Sequence, residues 1–89
     1  MKIERIAAEA AKLAERNGWH KVSIEALSAE MSVARMTLFR AGTIGKIRHE
    51  AAKVVQADPR GFPRAFTELA LDDMPTGTRL AVVDVILGV

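Results

Sequence analysis

The sequence predicts an all-α fold, and three observations carry that expectation. Apolar residues recur at three- and four-residue spacing through most of the chain. Breaks containing glycine, proline or serine divide it into short segments, and no segment makes a convincing strand beside them. A chain of 89 residues is one small domain, or one domain with part of another, and is too short for a large internal ligand cavity. It contains no cysteine, so disulfides and thiolate-bound metal cannot support the fold, and stability must come from packing, helped by pairing of copies.

The first helix is expected from Ile3 to Arg16. Ile3, Ile6, Ala7, Ala10, Leu13 and Ala14 fall on one face, and Glu4, Arg5, Glu9, Lys12, Glu15 and Arg16 on the other. Asn17-Gly18 ends it, because both residues tolerate the left-handed backbone of a helix stop. Trp19 is then expected to fold back over the apolar stripe, a contact with a partner being the alternative for a lone Trp near a loop. Ser23 is a good N-cap for a second, short helix from Ile24 to Met31, with Ile24, Leu27 and Met31 facing inward. After a break at Ser32-Val33, a third short helix covers roughly Ala34 to Ala41, and Gly42 stops it.

Gly45 precedes a fourth helix, Lys46 to Gln56, with Ile47, Ala51, Val54 and Val55 inside. Two prolines and a glycine in Asp58 to Pro63 forbid continuous helix and mark a linker, dividing the chain into residues 1–57 and 58–89. Helical spacing resumes from Arg64 to Met74 through Phe66, Leu69 and Ala70, and Pro75-Thr76-Gly77 breaks it again. Leu80 to Leu87 is rich in β-branched residues, but its helical context favours a further helix.

Charge is distributed unevenly. Residues 1–60 hold 11 Lys and Arg against 7 Asp and Glu, whereas residues 61–89 hold 2 against 4. Between Ser32 and Lys53 there are five cations, Arg35, Arg40, Lys46, Arg48 and Lys53, against the single acid Glu50, which is where a nucleic-acid surface would lie. Ile24 to Ala41 has the spacing of a helix-turn-helix. Leu27, Met31, Val33 and Leu38 can join the two helices, small Ser28 lets their backbones approach, and the first helix backs the pair. That leaves Arg35, Met36, Thr37 and Arg40 facing outward, toward the major groove of double-stranded DNA. Arg35, near the helix start, suits a base contact, and Met36 can touch a base or stand exposed.

The run from Ala8 to Lys46 resembles the N-terminal DNA-binding domain of the TetR family. The shared pattern is an amphipathic helix ending in glycine plus an aromatic, then a serine, an apolar-polar helix, and a Thr-Leu-aromatic sequence. The resemblance implies a transcriptional repressor. It implies that Thr37 contacts phosphate, that Phe39 occupies the place of the family's usual tyrosine, and that Lys46 matches the lysine at the start of helix four. With Ser23, Arg35, Met36 and Arg40, these form the expected DNA-binding set. Ser32 replaces a turn glycine, Ala34 a capping serine, Phe39 lacks the tyrosine hydroxyl, and Ala41-Gly42 lacks an aromatic. These departures bear on affinity more than on fold. Only 29 residues follow Arg60, so the inducer-binding and dimerising C-terminal domain that the family carries is expected only in part.

Other function classes find little in the residues. His20, Ser23 and Glu25 are neighbours in one loop, but a triad needs an oriented base, and Ser23 reads as a cap. His20 and His49 lie in unlike contexts, without ligand spacing for a metal. No catalytic group, metal or cofactor is expected. The N-terminus lacks a secretory apolar core, and the longest apolar tract, Leu80 to Val89, is broken by Asp84 and is about half of what a spanning helix needs. A cytoplasmic protein without membrane attachment is therefore expected. The apolar residues Phe62, Phe66, Leu69, Leu80, Val83 and Leu87 lead us to expect a homodimer through the segment after Phe62. The alternative function is a helical protein–protein interaction module that does not bind DNA.

Overall fold

A computed structural model describes residues 1–72, which are all-helical. In chain order they form α1 (Ile3–Asn17), a single 3-10 turn (Trp19–Lys21), α2 (Ile24–Met31), α3 (Arg35–Ala41), α4 (Ile44–Ala57) and α5 (Pro63–Asp72). The expected elements from Leu80 onward lie outside the described residues.

α1 is the centre of the assembly and packs against α2, α4, α5 and the 3-10 turn. Its stripe is wider than the sequence pattern suggests. Ala11 is fully buried alongside Ile6, Ala7, Ala10, Leu13 and Ala14, because neighbours cover α1 from more than one side. Glu4 in its first turn and Arg16 in its last both complement the helix dipole. The helix stops at Gly18, whose φ of +93° is open to glycine and whose N–H donates to the Ala14 carbonyl at 2.8 Å. A Cβ placed there would also lie 2.9 Å from the His20 ring.

The largest fully buried side chains are Ile6, Leu27, Leu38, Ile47 and Val55, drawn from α1, α2, α3 and α4. Each aliphatic group so placed contributes about 1.5–3 kcal/mol of transfer free energy. Met31, Val33, Ala41, Val54, Phe62 and Leu69 are partly buried against the same core. Trp19 is 6% exposed and belongs to it, as expected.

Two expectations need correction. The fourth helix begins at Ile44 rather than Lys46. Thr43 is its N-cap, with Oγ1 accepting the Lys46 N–H at 3.2 Å, so Gly45 sits inside the first turn, where backbone N–H groups lack intrahelical partners anyway. In α5 the fully buried residue is Ala65, whereas Phe66 remains 38% exposed. The reason is a close approach of α5 to the end of α1. The Trp19 indole donates Nε1–H to the Ala65 carbonyl at 2.9 Å, which leaves room only for a small side chain.

The stretch from Asp58 to Pro63 is a turn. Asp58 Oδ1 accepts the Gly61 N–H at 3.1 Å, and the Asp58 carbonyl accepts the Phe62 N–H at 3.2 Å. The turn returns the chain to α1, where the helix ends satisfy one another. Glu15 accepts the first free N–H groups of α5, from Arg64 at 3.2 Å and Ala65 at 3.0 Å. Arg64 Nη1 donates to the Arg16 carbonyl at 3.0 Å, and Glu68 accepts the Trp19 N–H at 3.0 Å. No helix among the described residues is long and apolar enough to cross a membrane.

Candidate nucleic-acid interface

The residues expected to meet DNA converge on α3 and the two helix starts beside it. α2 opens at Ser23, whose Oγ accepts the Ala26 N–H at 3.1 Å. The serine is thus a cap, and its hydroxyl hydrogen remains able to donate. α2 closes at Ser32, the only described non-glycine residue with positive φ (φ 56°, ψ 42°). This is the left-handed conformation for which glycine is the easier residue. The turn is held from within, because the Ser28 carbonyl accepts from the N–H groups of both Ser32 and Val33, the latter at 3.2 Å. The Ser28 hydroxyl in turn donates to the Val33 carbonyl at 2.6 Å. Ser28 therefore does more than allow close approach of two helices.

α3 starts from Ala34, which has the extended backbone of an N-cap (φ −67°, ψ 146°) and no side chain to serve as one. Leu38 is fully buried and anchors the helix, and Thr37 and Ala41 are half-buried beside it. The rest faces outward: Arg35 and Arg40 are exposed, Met36 is 63% exposed and Phe39 53%. Lys46 is exposed in the first turn of α4. A Cβ built on Gly42 would lie 3.5 Å from Lys46 Cδ and 3.2 Å from Ile3 Cδ1. The lysine stem thus runs past the glycine that ends α3, which places the lysine beside the C-terminal end of that helix. Arg35, Met36, Phe39, Arg40 and Lys46 are accordingly brought to one region, Thr37 is turned partly inward, and Ser23 stays at the start of α2.

Electrostatically the region is smaller than the five-cation run suggested. Arg48 is half-buried and turned inward, its Nη1 donating to the carbonyls of Trp19 at 2.9 Å and Val22 at 3.0 Å. Lys53 lies 3.2 Å from Glu50. Arg35 approaches Glu25 of α2 at 3.9 Å, an exposed pair that water screens and a phosphate can replace. Arg40 and Lys46 complete the basic set.

Sequence reasoning missed Thr43, which presents the start of α4 and the backbone of Lys46, and Glu25, which sets the resting partner of Arg35. A threonine directly after the helix-stopping Gly42 was the available signal for the first. The second depends on the approach of α3 to α2, which local spacing does not encode. Comparison with protein families, with curated proteins and with solved structures finds no match.

Proposed function

We propose that this chain is a double-stranded-DNA-binding transcriptional regulator of the TetR type, acting as a repressor in the cytoplasm, with α2 and α3 as its helix-turn-helix and α3 in the major groove. The observation that carries the reading is the division of α3. One fully buried leucine, Leu38, holds it to the core, while Arg35, Met36, Phe39 and Arg40 stand outward and Lys46 lies at its end. A seven-residue helix that gives this much side chain to solvent is arranged for an external surface, and its charge suits a polyanion. In this reading Lys46 and the Thr37 hydroxyl serve the backbone, and Arg35, at the helix start, reaches a base edge. Two copies acting together would present two such helices to half-sites about 34–36 Å apart, which is why we also propose a homodimer.

The test is a salt titration of the full chain against duplexes selected from a random library. Affinity should fall steeply with salt, by about 0.9 in log–log slope for each phosphate neutralised. Absence of duplex affinity at low salt would overturn the reading in favour of an interaction module. A second measurement, sedimentation of the full chain at high micromolar concentration, should give a dimer, and a monomer there would overturn the homodimer.

A further inference from the structure

The outward face of α3 is apolar at its centre and cationic at its margins. With about 100° between successive helical residues, the exposed side chains follow one another around the axis in the order Arg35, Phe39, Met36, Arg40, within about 140°. Met36 and Phe39 are thus flanked on both sides by arginine. They are among the few large apolar side chains left exposed in the described residues, and the core already holds Leu38 from the same helix. No Asn, Gln, Asp or Glu lies on α3, and its one hydroxyl, Thr37, is half-buried. The hydrogen-bonding reach of this face therefore belongs to the two arginines, and the middle has none.

The major groove of B-DNA offers one apolar group to such a surface, the C5-methyl of thymine. We infer that Met36 and Phe39 read thymine methyl groups, so that apolar contact specifies part of the site this protein prefers, beside the base contact of Arg35, with Arg40 and Lys46 engaging the walls of the groove. The inference rests on the DNA reading proposed above and adds to it the class of sequence recognised. The charge arrangement suits the face to a polyanionic duplex, because two exposed arginines frame the apolar pair and Lys46 extends the basic margin beyond the end of α3.

The experiment replaces thymine by deoxyuridine, one position at a time, in the duplex selected by the full chain. This removes a methyl group and leaves every base-pairing and groove hydrogen bond intact. Each methyl touched by Met36 or Phe39 should cost about fourfold in affinity, the equivalent of one buried methylene. The Met36→Ala and Phe39→Ala variants change exposed positions and should fold as the parent does. In each, the deoxyuridine penalty should vanish at the position that residue reads. Tight duplex binding with no penalty at any thymine overturns the methyl inference and leaves DNA binding standing. Failure to bind any duplex at low salt overturns both, and assigns the exposed pair to a protein partner instead.

Discussion

The Arg48 guanidinium lies over the Trp19 indole, 6.0 Å from its centroid, and donates to the Trp19 carbonyl as well as to that of Val22. One side chain from α4 therefore closes the backbone of the turn between α1 and α2. Trp19 passes the link onward through its indole N–H to α5. The arginine that looked like part of a basic surface is a structural tie.

Replacing Arg48 by Ala leaves two partly buried carbonyls without this donor and should cost about 1–3 kcal/mol. Urea unfolding measures the loss. The salt dependence of duplex binding should be unchanged in the same variant. An unchanged unfolding midpoint with a reduced salt slope would place Arg48 on the DNA.

Leu38 is the fully buried anchor of α3, and truncation to Ala should cost about 2–5 kcal/mol through the forgone transfer energy and the cavity left behind. For a domain of this size that is much of its stability. Thermal melting should show a large drop, and an unchanged melting temperature would contradict the burial of Leu38.

Two substitutions in the turn should stabilise the protein. Ser32→Gly relieves a left-handed residue at a cost in chain entropy, for a net gain of about 0.5–1 kcal/mol. Ala34→Ser supplies the cap that α3 lacks, worth about 1 kcal/mol, because the backbone there already has an N-cap geometry. Chemical denaturation of each variant reads the change. A loss of stability in Ala34→Ser would show that the turn cannot accommodate the hydroxyl.

Lys46 and Arg35 should behave differently on DNA. Lys46→Ala should weaken selected and unrelated duplexes alike and lower the salt slope by about one unit for each phosphate that the lysine neutralises. Arg35→Ala should cost about 1–3 kcal/mol on the selected site and relax one position of its sequence preference. Titrations at several salt concentrations separate the two. If neither variant changes binding, the α3 face is a solvated surface.

Features written in neighbouring residues were legible in the sequence. The all-helical class, the start of α1, the bounds of α2, the Ser23 cap, the stop at Gly18 and the burial of Leu27, Leu38, Ile47 and Ala51 all follow from apolar spacing and from residues with a local backbone preference, while α1 runs one residue further than expected, through Asn17. Of the outward set expected on α3, Arg35, Met36 and Arg40 are exposed, because a buried Leu38 places them elsewhere around the helix, whereas Thr37 is half-buried and Phe39, not expected outward from the spacing, is exposed.

Tertiary structure decided which of several possible partners each polar or ambiguous side chain would meet. Arg48 turned inward because the carbonyls of Trp19 and Val22 lie within its reach, Ala65 was buried in place of Phe66 because α5 comes close to Trp19, and Glu15 capped helix N–H groups 49 and 50 residues away. Helical periodicity sets the angle of a side chain around its own axis, but not which other element lies at that angle. Long-range packing settles that choice, and with it the difference between an arginine free to meet phosphate and one already bound to the protein's own backbone.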